Sequence, residues 1–154
     1  MSEIRIPIVC ETPPMYVEIA KKFNLRPEQE ILFAWGDKIY NPAAIVNIPR
    51  PLIIHEMLHM QRQGRFVTEW WRKYIDDPEF RLQEEIPAHV VEYAAWRQDP
   101  TIGRLQRRFI LRKVAERLSS KLYGNMIDYV GARELIRKLE KESRHDERSP
   151  DFPR

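Results

Sequence analysis

One cysteine, five glycines and no long apolar run mark this 154-residue chain by what it has little of. With Cys10 alone, no intrachain disulfide can form, so the fold does not lean on an oxidising compartment. The longest uninterrupted apolar stretches, such as Ala43 to Val46 and Leu52 to Ile54, are far too short to cross a bilayer. The first residues, Met1-Ser2-Glu3-Ile4-Arg5, do not follow the basic-then-apolar pattern of a secretory signal. A cytoplasmic protein without a membrane span is therefore expected. No internal repeat is present.

Apolar residues at 43% and charged residues at 32% suffice for one globular core. The net charge is only +3, and the basic residues are densest between Arg104 and Lys121. There Ile110, Val114, Leu118 and Leu122 recur every four residues as an apolar stripe, while Arg108, Arg112, Lys113 and Arg117 spread around the remaining surface. That patterning is expected of a solvated face on a core-packed helix, and it argues against a nucleic-acid face.

Alternation of Ile4, Ile6 and Ile8 suggests a strand over Glu3 to Val9, weakened by Pro7. A short helix is expected over Met15 to Phe23. Ile31 to Trp35 and Lys38 to Tyr40 flank Gly36-Asp37 as a hairpin, and Ala43 to Ile48 reads as a further short strand. From there helices are expected: Leu52 to Gln63, opened by Pro49 and Pro51 and closed by Gly64; Phe66 to Ile75; Pro78 to Gln98, capped by Asp77; Thr101 to Leu122; and Ala132 to Glu142. The expected fold class is α+β, a small, mostly antiparallel N-terminal sheet followed by a helical majority. Residues 1–142 form one domain in this reading, and 143–154 a polar, loose tail that contains His145.

Half of the four histidines stand in His55-Glu56-Met57-Leu58-His59, an H-E-x-x-H pattern inside an expected helix. Four residues advance a helix by about 400°, so both imidazoles leave on nearly one bearing, roughly 6 Å apart, and can reach one Zn²⁺. Glu56 lies about 100° round the helix, where it can meet a water activated by the metal without ligating the ion itself. Met57, Leu58 and Ile54 are expected to face the core. Two histidines need a third protein ligand. Glu84, Glu85 and His89 on the next long helix are the candidates, and Glu85, His89 and Glu92 share a stripe.

The stretch Ile53 to Tyr93 resembles the glutamate-zincins, in particular the small single-domain metallopeptidases of bacteriophage and bacterial genomes. In those proteins H-E-x-x-H is followed some twenty to thirty residues later by a helix with E-x-x-A, whose glutamate ligates the metal. Glu85-Ile86-Pro87-Ala88 lies at that spacing, 26 residues after His59. Trp70-Trp71-Arg72-Lys73-Tyr74 and Asp77-Pro78-Glu79-Phe80-Arg81 are similar to the phage sequences too. The resemblance implies a zincin-like domain with one zinc ion on His55, His59 and Glu85, Glu56 as general base and acid, and a peptide or protein substrate. Pro87 departs from a regular ligand helix: it either aims Glu85 or breaks the helix and shifts the role to Glu84 or His89, His89 otherwise serving to orient a ligand. Tyr74, Tyr93, His89 and several arginines are candidate transition-state stabilisers, although Trp70, Trp71 and Tyr74 read more readily as core aromatics than as substrate contacts. Cys10 is expected to be a buried structural thiol. The competing reading is a zinc-stabilised binding or structural protein on the same fold.

Overall fold

In the computed structural model, which describes residues 5–146, the protein begins with a three-stranded sheet and continues as helices. The strands are β1 (Ile8–Val9), β2 (Phe33–Trp35) and β3 (Lys38–Tyr40) in the order β1-β3-β2, with α1 (Tyr16–Phe23) between β1 and β2. β2 and β3 form the expected hairpin, with Ala34 opposite Ile39, and Gly36 turns it at φ +64°. β1 runs parallel to β3, so the sheet is mixed rather than mostly antiparallel. The class stands as α+β.

Three local expectations fail. Ala43 to Ile48 is not a strand: Ala44 and Asn47 have φ of 51° and 56°, and the Asn41 side chain binds both the N–H and the C=O of Ile45, diverting the backbone from any ladder. Of the expected first strand only Ile8–Val9 is a strand, although the Pro7 carbonyl also accepts from the Ile39 N–H at 3.0 Å, and residues 3 and 4 lie outside the described residues. Cys10, just after β1, is exposed rather than a buried thiol.

The helices are α2 (Arg50–Gln63), α3 (Val67–Asp76), α4 (Pro78–Gln98), α5 (Arg104–Leu118), a 3₁₀ turn at Lys121–Tyr123, and α6 (Tyr129–Asp146). α5 is shorter than expected, because Ser119 and Ser120 turn back on the carbonyls of Ala115 and Arg117. α6 is longer: four residues assigned to the tail, 143–146, are helical, and His145 sits exposed on its last turn. The remainder of the expected tail, 147–154, lies outside the described residues. α4 runs through Pro87 without interruption, so the break that would favour another ligand does not occur.

Two apolar clusters hold the molecule. Ile19, Phe33, Trp70 and Trp71 join the sheet, α1 and α3. Leu111, Val114, Ala115, Leu118, Tyr123, Ala132 and Ile136 join α5, α6 and the 3₁₀ turn, with Tyr93 from α4. α4 also sends Phe80 to the first cluster and Leu82, Ile86 and Val90 to the second. It is the beam shared by both.

The start of that beam is set by Asp77, whose carboxylate accepts from the N–H groups of Glu79 and Phe80 at 2.9 and 3.2 Å. Asp77→Ala leaves both donors without this cap and is expected to cost about 1 kcal/mol. For a protein of this length that is a fall in Tm of about 2–4 °C in a thermal melt. An unchanged Tm contradicts the capping role.

Candidate metal centre

α2 packs against α4 with its polar side inward. Its buried residues are Pro51, His55, His59 and Gln63, an i, i+4 stripe, whereas Met57 is exposed and Leu58 and Ile54 are only half-buried. The expectation that Met57, Leu58 and Ile54 face the core is thus reversed. α4 answers with a buried stripe of Arg81, Glu84, Glu85, Ala88, His89, Glu92 and Tyr93. Burying so many polar groups costs several kcal/mol for each ion unless partners compensate, so the pairing between the helices decides the site.

His55 Nε2 and His59 Nε2 lie 3.1 Å apart. Glu85 Oε2 is 3.2 Å from the first and Glu85 Oε1 3.3 Å from the second. Bonds of about 2.0–2.1 Å in a tetrahedral site place ligand atoms about 3.3–3.4 Å apart. The three side chains therefore already stand at close to the spacing of tetrahedral ligands, and they form one of the buried groups able to hold a metal ion. Pro87 does not disturb this, since Glu85 is the carboxylate brought to the histidines.

Outer contacts fix these donors. Glu92 Oε2 is 2.9 Å from both His55 Nδ1 and His89 Nδ1, so a single carboxylate orients two rings. Once His55 is neutral, with Nδ1–H donated to Glu92, its lone pair is on Nε2, the atom facing Glu85 and His59. The Tyr74 hydroxyl donates to Glu85 Oε1 at 2.6 Å. His59 has no such partner: its Nδ1 is buried without a hydrogen bond among the described residues, and its ring rests against Trp70 with centroids 5.3 Å apart. His89 Nε2, 3.6 Å from Glu85 Oε2, is likewise buried without one.

Other candidates are placed elsewhere. Glu84 is held in a two-pronged pair by Arg62 at 2.7 and 2.8 Å and accepts from Trp70 Nε1 at 2.9 Å, which turns it away from the histidines. Tyr93 belongs to the second apolar cluster and does not line the cavity. Tyr74 does line it, with its hydroxyl engaged by Glu85. Glu92 is visible in the sequence only as a member of the α4 stripe; a carboxylate shared by two histidines shows itself only in three dimensions.

The charges follow from burial set against these contacts. Burial pushes the His55 imidazolium down, but hydrogen bonds to Glu85 and Glu92 win and raise it to about 10. Burial pushes Glu85 up, yet the attraction of His59 and the bonds from both histidines hold it well below the usual carboxylate range. Glu92 is drawn down to about 2, its burial outweighed by bonds from His55 and His89. Burial lowers His89 below the usual imidazole range, only partly offset by its bond to Glu92. Glu56 goes the other way: burial lifts it above an ordinary glutamate, only partly offset by His55 and His59.

Glu56, His55, His59, Glu85 and Tyr74 share the wall of one cavity of about 340 Å³. Phe33 and Ala34 of β2 line it too, and the Ala34 carbonyl is tied down by Gln63 Nε2 at 2.8 Å and Trp71 Nε1 at 3.0 Å. Arg117, expected on a solvated face, is exposed but also lines this cavity. Helix periodicity does not disclose that second contact.

No protein-family model, curated protein or solved structure matches this sequence. Buried His and Glu groups here can hold a metal ion.

Metal affinity, read by competition with a chelator, is expected to separate the glutamates. Glu92→Gln should weaken zinc binding about 10–100-fold by releasing His55 and His89, while Glu84→Gln should leave it nearly unchanged. In the wild type, His55 carries a proton up to about pH 10 that must leave Nε2 before a metal can bind. Affinity should therefore rise about tenfold per pH unit from pH 7 to 9, with close to one proton released per ion. A pH-independent affinity over that range contradicts the charge assigned to His55.

Proposed function

We propose that the protein is a zinc-dependent hydrolase of peptide or amide bonds, with His55, His59 and Glu85 holding the ion and Glu56 as general base and acid. The observation that carries this is the convergence of three side chains from two helices, with the two Nε2 atoms 3.1 Å apart and one Glu85 oxygen 3.2–3.3 Å from each, on the wall of a cavity that also presents Glu56. Two imidazoles and one carboxylate suit zinc among the divalent ions and are the donor set of catalytic zinc sites, which keep a fourth position open. The resemblance of Ile53 to Tyr93 to the glutamate-zincins supports the same assignment.

When bound, the ion supplies Lewis acidity, bringing the pKa of a water toward ~7 and polarising the scissile carbonyl. Glu56 stands one residue from His55 on the cavity wall, and its raised proton affinity suits it to take a proton from that water. The same carboxyl then delivers the proton to the departing amine. Tyr74 and Glu92 act through the ligands: the first fixes Glu85, the second fixes His55 and His89. The apolar part of the cavity, including Phe23, Leu25 and Ile31, offers a dry wall for a substrate side chain.

Glu56→Gln keeps the shape of the site and removes the base. The variant is expected to retain about one zinc per protein molecule by elemental analysis and to lose at least ~10²-fold in kcat on any peptide the wild type cleaves. Retained zinc with unchanged turnover removes Glu56 from its role. Zinc-bound wild type that cleaves nothing in a broad peptide library favours the competing reading, a zinc-stabilised binding protein.

A further inference from the structure

Two charged groups on the cavity wall, Glu30 and Arg117, are left unused by the metal chemistry, and Arg117 is the cation of the two. Arg117 stands next to the end of α5 and is the single Lys or Arg lining the cavity among the described residues. Some other arginines are engaged, Arg97, Arg112 and Arg144 each by a carboxylate and Arg81 by three backbone carbonyls, but Arg117 alone of the arginines reaches this cavity among the described residues. Arg117 has neither an ion pair nor a side-chain hydrogen bond among the described residues, although Glu85, Glu92 and the phenols of Tyr74 and Tyr123 are near enough to act on its charge. Its outer side is open to solvent, so a ligand can reach it.

A guanidinium has five N–H donors in a planar fork that matches a carboxylate. Beside it the cavity is mainly apolar, with Ile19, Phe23, Leu25, Ile31 and Leu122 on its walls. A volume of about 340 Å³ is at the lower end for small-molecule sites, room for one or two residues rather than a long segment. The ligand that satisfies both features pairs an apolar side chain with a nearby carboxylate. We propose that Arg117 determines specificity in this cavity by receiving a carboxylate of a short peptide whose adjacent apolar side chain fills the rest. That carboxylate is either the peptide's terminal one or that of an acidic side chain. As a statement about a substrate this rests on the peptidase reading; as a statement about binding it is tested separately.

The test is calorimetric titration of the full-length protein loaded with zinc, using three probes: N-acetylphenylalanine, its C-terminal amide, and N-acetyl-glutamyl-phenylalanine amide. At least one of the two carboxylate probes is expected to bind ten-fold or more tightly than the simple amide. Preference for the first identifies a terminal carboxylate as the natural group, and preference for the third identifies an acidic side chain. Arg117→Gln should abolish the preference, and Arg117→Lys should restore part of it, while zinc content and the circular dichroism spectrum stay as in the wild type. Equal binding of all three probes overturns the proposal. So does a preference that survives Arg117→Gln, because the metal rather than Arg117 would then hold the carboxylate. The titration reads binding without turnover, so a failure of the hydrolytic reading leaves this result intact and the reverse also holds.

Discussion

The buried polar seam between α2 and α4 is the constraint on which the rest of the structure depends. Two helices that would ordinarily meet through hydrocarbon meet instead through His55, His59, Glu85, His89 and Glu92, all less than a tenth exposed. Such groups are tolerated only when each charge is answered. Glu92 answers His55 and His89, Tyr74 answers Glu85, and Glu85 stands between His55 and His59. The cavity on one side of the seam and the two apolar clusters beyond it follow from where this seam lies.

Much of the surrounding fold holds the seam in place. Arg81 is buried, and its guanidinium binds the carbonyls of Tyr74, Ile75 and Leu122 at 2.7–3.0 Å. It thereby satisfies the open C-terminal end of α3, keeps Tyr74 within reach of Glu85, and ties the 3₁₀ turn with Tyr123 to the same place. Arg62 and Trp70 engage Glu84, so the neighbouring carboxylate cannot compete for the histidines. Gln63 and Trp71 clamp the Ala34 carbonyl and so hold the edge strand β2 beside Glu56. A mutation at any of these positions should act through the placement of the buried His and Glu groups.

The helix-spaced pair His55 and His59, the capped start at Asp77 and the length of α4 are legible in the sequence, because each depends on local spacing. So is the group of candidates for a third donor, since Glu84, Glu85 and His89 are close together on one helix. What divides them is not local: Glu84 is drawn off by Arg62, 22 residues away, and no periodicity discloses that. The same holds for Glu92, which needs both His55 and His89 beside it to differ from any other helical glutamate. The inward turn of the polar stripe of α2 runs against the usual rule that apolar residues face the core, which is why Met57 lies outside and not within. Cys10 and the stretch Ala43 to Ile48 depart from expectation for a simpler reason, as side-chain bonds from Asn41 and a backbone that bends after Val9 override short apolar patterns.

Zinc-edge X-ray absorption on the purified full-length protein is the most direct test of the seam as a metal centre. The expected result is one zinc per molecule with two imidazole nitrogens and carboxylate or water oxygen at about 2.0–2.1 Å, and loss of one imidazole shell in His59→Ala. Absence of bound zinc at micromolar concentrations, or a coordination shell containing sulfur from Cys10, contradicts the account.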